Sequence, residues 1–312
     1  MKTFGLPGTS LDVPNVVAGM MRIAKMEDPA IRDLVQACLD SGINFFDHAD
    51  IYGGALHRSE ERFASAMSFT PSQRESIVLQ TKCGIVKCAA GAYFDFSAEH
   101  ILESVDGSLK ALQTDYIDIL LLHRPDALVE PEEVAKAFDA LEASGKVRYF
   151  GVSNHTPGQI DLLKKSVRQP LVANQLQLSI THSPMVAQGM AMNMVDEDQA
   201  ITRDNGIVDY CRLHDIVVQA WSPYQGGFFT GVFLGDPKYA TLNHVLDRLA
   251  DKYGVTPMGI ATAWITRHPA NMQVVTGTTQ PSRIIEAAAG SDIPLTREEW
   301  YDLFRAADHI VP

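Results

Sequence analysis

The chain has 312 residues, 46% of them hydrophobic and 21% charged, with 26 basic against 38 acidic residues and a formal net charge of −12. This length and apolar fraction support a large core and exclude global disorder. The acidic balance excludes a broad nucleic-acid or anionic-membrane surface, though not an anionic cofactor, because a few placed cations and backbone N–H groups bind phosphate locally. The four cysteines, Cys38, Cys83, Cys88 and Cys211, form no C-x-x-C pair and read as small hydrophobes in a reducing compartment. Met1 to Ser10 lacks the basic-then-apolar pattern of a signal peptide, and no run approaches ~18 apolar residues. A soluble cytoplasmic protein is expected, with no membrane or nucleic-acid partner.

Short β-branched runs alternate with longer amphipathic ones. In chain order the expected strands are Val16–Met21, Ile43–His48, Ile77–Cys83, Ile117–His123, Val147–Ser153, Val172–Leu178, Ile216–Trp221 and Met272–Gly277. Between them fall helical patterns at Pro29–Leu39, Ser59–Met67, Ala98–Leu112, Pro131–Ala143, Gly158–Val167, Ile207–His214, Leu242–Tyr253, Pro257–Arg267 and Ser282–Ala289, with Thr296–Ala307 closing the chain. Eight strand–helix units with near-continuous apolar strands fit a closed (β/α)₈ barrel. An open doubly wound sheet would carry a G-x-G-x-x-G loop after its first strand; here that strand runs into Arg22-Ile23-Ala24-Lys25. No linker, repeat or low-complexity tract divides residues 1–312, so one domain is expected. The stretch 182–205, with Met185, Met190, Met192 and Met194, reads either as a surface insertion or as a Met-lined wall over an apolar pocket.

Barrel chemistry gathers at the carboxyl ends of the strands. Those ends carry Asp47-His48-Ala49-Asp50-Ile51-Tyr52, Thr81-Lys82, His123-Arg124, Ser153-Asn154, Asn174-Gln175, Trp221-Ser222 and Thr276-Gly277-Thr278. Asp, Tyr, Lys and His together suit reduction of a carbonyl, which needs a proton on oxygen as well as hydride on carbon. A free phenol has a pKa of ~10. Lys82 is expected to lower the pKa of Tyr52, Asp47 to hold Lys82 and limit the penalty of burying it, and a neutral His123 to orient the carbonyl.

Over nearly its whole length the sequence resembles the aldo-keto reductase superfamily. The resemblance rests on Gly42–Gly53 with Asp47 and Tyr52 five residues apart, on Thr81-Lys82, on Leu121-Leu122-His123-Arg124-Pro125-Asp126, and on Gly145–Asn154. The Asp-His-Ala-Asp-Ile-Tyr-Gly run and a terminal Val-Pro are similar to a bacterial oxidoreductase subgroup. The resemblance implies catalytic Asp47, Tyr52, Lys82 and His123, and a bound NADP(H). It implies that Ser153, Asn154 and Gln175 hold the nicotinamide carboxamide and that Trp221 stacks on the ring. The loop Ser222–Thr230, with Pro223, Gln225, Gly226 and Gly227, would cover the pyrophosphate, its glycines admitting backbone N–H groups. Thr278, Thr279 and Arg283 would read the adenosine 2′-phosphate, favouring NADPH over NADH, and Glu286 would contact adenine. Gly277, in the same loop, stands where many members have Lys. His48 replaces the usual Thr or Ser, and Ala287 an Asn that often holds adenine.

The reading is thus an NADPH-dependent reductase of small aldehydes or ketones, monomeric or weakly oligomeric, with no metal. Two alternatives stand beside it. A cofactor-sensing subunit would bind NADPH with little turnover. A metal-dependent barrel hydrolase would draw ligands from His48, Asp50, His57 and His123, but it leaves Lys82 and Asn154 without a role.

Overall fold

The computed structural model describes every residue except Ala90, Asn193, Val195, Phe228, Phe229 and Pro312. Eight parallel strands close a barrel in chain order: Val16–Gly19, Phe45–Asp47, Val78–Cys83, Ile117–Leu122, Val147–Ser153, Leu171–Gln177, Val217–Trp221 and Gln273–Thr276, the last pairing back onto the first. These are the eight expected strands, most of them shorter by one or two residues at one or both ends, with the fifth unchanged and the sixth shifted one residue toward the amino terminus. The strands are buried on both faces, which is why their sequences run apolar instead of alternating. One face packs under the helices through Val16, Phe46, Leu79, Leu120, Val218 and Val274. The other fills the barrel through Val17, Phe45, Val78, Ile119, Leu121, Val217 and Val275.

An antiparallel hairpin, Thr3–Gly5 with Asp12–Pro14, precedes the first strand. Its residues Leu6 and Val13 join the interior cluster and close the amino-terminal end of the barrel. Above this apolar floor lies a belt of buried glutamines. Gln175, Gln219 and Gln273 sit in register on adjacent strands, and Gln80 is in register with Asp47. Gln80 Nε2 donates to Gln219 Oε1 (2.9 Å), Gln219 Nε2 to Gln80 Oε1 and Gln273 Oε1 (3.0 Å each), and Gln273 Nε2 to Pro14 O (2.7 Å). Each amide meets another, so the polar layer avoids the penalty of unpaired burial.

Ten of the helices match the sequence pattern. Ser97 caps Ala98–Leu112, and capping boxes open Pro157–Leu163 (Thr156, Gln159) and Arg297–Ala306 (Thr296, Glu299), each cap being worth about 1 kcal/mol. The closing helix is pinned by Trp300, stacked 4.8 Å from Trp264, with each indole N–H donating to the other's backbone carbonyl (3.2 and 2.9 Å).

The sequence reading missed a second hairpin, Ile85–Cys88 with Gly91–Phe94, and a helix at Pro184–Met190. That helix gives the Met-rich stretch an order the sequence did not show. Met185 and Met190 pack on the outer core, and both line a cavity of about 380 Å³ with Arg267, Arg297, Trp300 and Tyr301. Gln199 exchanges two hydrogen bonds with the backbone of Ile310 (2.9 and 3.0 Å), so the segment receives the carboxyl-terminal chain. No helix among the described residues is long and apolar enough to cross a membrane.

Candidate active site

Asp47, Lys82 and His123 stand at the carboxyl ends of strands two, three and four, with Tyr52 in the loop after strand two. Lys82 is fully buried, and its ammonium has four partners: Asp47 Oδ1 and Oδ2 (2.7 Å each), His48 O (2.7 Å) and the Tyr52 hydroxyl (3.2 Å). Gln80 and Gln175 donate to Asp47 Oδ1 at 2.6 and 3.1 Å. The glutamine belt therefore fixes the carboxylate from below while Lys82 binds it from above. Burial alone would discharge the lysine, but Asp47 and Tyr52 more than offset it and raise its pKa.

Tyr52 departs from the sequence expectation. Burial is the largest influence on its phenol and raises the pKa; Lys82 pulls it down, but Asp47 and Asp50 add to burial and the balance lies above the ordinary value. The lysine restrains the rise without reversing it. The phenol is consequently protonated at neutral pH. The His123 ring lies edge-on to Tyr52, centroids 5.7 Å apart. Burial, with Lys82 and Arg124, holds His123 well below its ordinary pKa, so the ring is neutral.

Behind this group lies a second buried cluster. Glu60 accepts from Thr81 Oγ1 (2.5 Å) and Ser108 Oγ (3.2 Å) and pairs with His57 Nδ1 (2.6 Å). Gly107 admits the His57 ring into the neighbouring helix, since a Cβ there would lie 2.2 Å from His57 Nε2. Asp50 is fully buried with no side-chain partner for either carboxylate oxygen among the described residues, and burial followed by the charge of Glu60 pushes its pKa up to about 7. His48, also without ring partners there, is pushed down to about 4 by burial and packs on Phe63. Among the described residues no group of three or more His, Cys, Asp or Glu side chains could hold a metal ion.

The other expected residues ring the same barrel mouth. Asn154 adopts a left-handed backbone (φ 62°). Its side chain donates to Ser153 Oγ (2.8 Å) and accepts from Trp221 Nε1 (3.1 Å), while Ser153 Oγ donates to Gln175 O (2.9 Å). Gln175 turns its amide nitrogen inward, to Asp47 and Gln219. After strand seven, Ser222 is left-handed (φ 54°), Pro223 is buried, and Gln225 Oε1 is buried with no partner among the described residues. A Cβ on Gly226 would come 2.2 Å from the Tyr239 hydroxyl, and one on Gly227 3.2 Å from Thr230 Oγ1. A side chain at 226 would therefore have to displace the Tyr239 hydroxyl. Phe228 and Phe229 of this loop, like the terminal Pro312, lie outside the described residues.

On the strand-eight side, Thr278 Oγ1 accepts from Gln280 N (3.1 Å), ahead of the helix Pro281–Ala289. Arg283 is exposed on its first turn, and Glu286 accepts from Thr256 Oγ1 (3.2 Å). The sequence reading gave no role to three cations that also reach this mouth. Arg22 donates from the end of strand one to Gly277 O (2.9 Å), Lys87 from the second hairpin to Ile51 O (2.9 Å), and the Arg124 guanidinium lies 5.8 Å from the centre of the Trp221 ring. Position beside the motif residues was the available signal: Arg124 follows His123 directly.

A buried lysine is thus clamped between a carboxylate and a phenol at the strand ends of an eight-stranded barrel. The Aldo/keto reductase family profile matches residues 15–307, and the chain belongs to that family. It is 37% identical to the oxidoreductase YcsN of Bacillus subtilis over 306 residues, covering 95% of each chain. It is 36% identical to the 6-dehydroglucose reductase of Agrobacterium fabrum over 307 residues, again covering 95% of each. In fold it is similar to the glycerol dehydrogenase of Gluconobacter oxydans, with a TM-score of 0.76 at 23% identity, covering 99% of this chain and 96% of that one. The chain is an oxidoreductase of this family, whose members bind a nicotinamide cofactor and act on small carbonyl compounds.

Proposed function

We propose that this protein reduces aldehydes or ketones to alcohols with NADPH, and that Tyr52 donates the proton. The observation that carries the reading is the fully buried Lys82 ammonium, which joins the Asp47 carboxylate at 2.7 Å to the Tyr52 hydroxyl at 3.2 Å. When bound, the reduced nicotinamide supplies the hydride. The chain's own residues do the rest. Tyr52, protonated at neutral pH, donates to the carbonyl oxygen as negative charge develops there, and neutral His123 orients that oxygen. As the phenol loses its proton, Lys82 faces a developing phenolate at hydrogen-bond distance, and Asp47 keeps the ammonium in place. The cation therefore acts most strongly in the transition state, where it accelerates the reaction.

The mouth residues fit the cofactor. Gln225 Oε1 is a buried acceptor without a partner among the described residues. The Trp221 indole is tied to Asn154 at the barrel mouth. Arg283 and Thr279 stand exposed or half-exposed beside a helix amino terminus, a setting suited to the 2′-phosphate. Ser153, Asn154 and Gln175 would hold the carboxamide, Ser222, Pro223, Gly226 and Gly227 the pyrophosphate, and Gly277, Thr278 and Glu286 the adenosine end. Reaction and proton donor are tested together by following NADPH consumption with wild type and Tyr52→Phe over a panel of small aldehydes and ketones. The expected result is turnover that falls by at least about 100-fold in the variant while NADPH binding persists. Normal turnover by Tyr52→Phe would refute the assignment.

A further inference from the structure

We infer that Arg124 makes this site selective for carbonyl substrates carrying an oxyanion, a carboxylate or a phosphate, an inference that rests on the reductase function proposed above. Arg124 is half-buried, directly follows His123 and lies 5.8 Å from the centre of the Trp221 ring. Its charge helps hold His123 neutral, and it is itself influenced by Tyr52. It therefore stands at the strand-four end of the mouth, next to His123 in the chain and within electrostatic reach of Tyr52.

Its lack of an acid partner is the informative feature. The other part-buried cations are paired: Lys82 with Asp47, Arg62 with Asp28, Arg74 with Asp118, and Lys146 with Asp106. Among the described residues no carboxylate comes within 4.0 Å of Arg124. The adjacent acid, Asp126, is committed to the backbone N–H groups of Phe96 (3.0 Å) and Leu128 (2.8 Å). A half-buried guanidinium without a counterion is unfavourable, and a bidentate oxyanion is the ligand its planar fork matches.

Topology separates this cation from the adenosine side. Strand four, which carries Arg124, lies diametrically across the ring from strand eight, which leads to Thr278 and Arg283. Arg124 is thus placed toward the substrate. In a chain with 12 more acidic than basic residues, a cation left unpaired beside the proton donor concentrates anions where the general field repels them.

The test compares kcat/KM for two matched pairs with NADPH: succinic semialdehyde against butanal, and glyceraldehyde 3-phosphate against glyceraldehyde. Wild type is expected to favour the anionic member of one pair, which identifies the oxyanion as carboxylate or phosphate. Arg124→Gln should reduce that anionic-to-neutral ratio by about 10-fold or more, and Arg124→Lys should retain part of it. An unchanged ratio in Arg124→Gln overturns the inference, whereas Tyr52-dependent reduction of the neutral members leaves the reductase function standing. If none of the four is reduced, calorimetric titration of the NADPH-loaded protein with succinate and with glycerol 3-phosphate decides instead. Binding lost in Arg124→Gln supports the inference; equal binding, or none to wild type, overturns it.

Discussion

Replacing Asp50 by asparagine should change how stability depends on pH. Asp50 is fully buried, and neither carboxylate oxygen has a side-chain hydrogen-bond partner among the described residues. Burial, then the charge of Glu60, raises its pKa from 3.8 to about 7, against weaker opposition from His57, the Ile51 backbone and Lys82. Below the unfolded pKa the group is protonated in both states and contributes no pH dependence. Between the two values the unfolded chain ionises while the folded one holds its proton, so stability falls by about 1.4 kcal/mol per pH unit. Above about 7 the full penalty stands, at most about 4 kcal/mol for a shift of roughly three units. The amide that replaces the carboxyl carries no such charge, and any packing defect it introduces is independent of pH. Urea unfolding of wild type and Asp50→Asn, followed by circular dichroism from pH 4 to 8, should show the variant gaining on wild type as pH rises, with the gain levelling above about pH 7. Parallel curves would refute the reasoning and show that Asp50 ionises in the folded state as it does unfolded.

Three further outcomes are expected. Lys82→Met should lower stability by about 3–5 kcal/mol, because it leaves the buried Asp47 carboxylate without its cation; a thermal melt unchanged from wild type would contradict the buried pair. Reduction should lose rate as pH rises through the Tyr52 pKa, which lies above the ordinary phenol value, and Asp50→Asn should move that alkaline limb to lower pH because the Asp50 charge contributes to the rise. A limb below that of a free phenol in wild type would contradict the structure. Arg283→Ala should weaken NADPH binding by about 10-fold or more while barely changing NADH; equal losses in fluorescence titrations would show that Arg283 does not read the 2′-phosphate.

The sequence determined the barrel. Strands buried on both faces must be apolar throughout, and helices that cover them must be amphipathic, so eight such alternations left a closed parallel sheet as the consistent arrangement. It also supplied Asp47, Tyr52, Lys82 and His123, because strand ends are readable and charged groups there need partners. Local pattern failed where structure depends on distant packing. The hairpin of Ile85–Cys88 with Gly91–Phe94 is largely exposed, and the helix Pro184–Met190 is short and rests on the outer core. Neither has a hydrophobic period long enough to register.

Tertiary structure alone decided the balance of charges. The direction of the Tyr52 shift follows from competition between burial, Lys82 on strand three, and Asp47 and Asp50 beside it on strand two and its loop, a balance that depends on distances across the closed sheet. The glutamine belt is likewise invisible in sequence, because Gln80, Gln175, Gln219 and Gln273 meet only when strands three, six, seven and eight close around one interior. Arg124 was plain to read beside His123, but that it faces no carboxylate among the described residues is a property of the folded neighbourhood. Residue type fixes which charges a chain can bring; the closed sheet fixes which of them are buried together, and burial sets the strength of each.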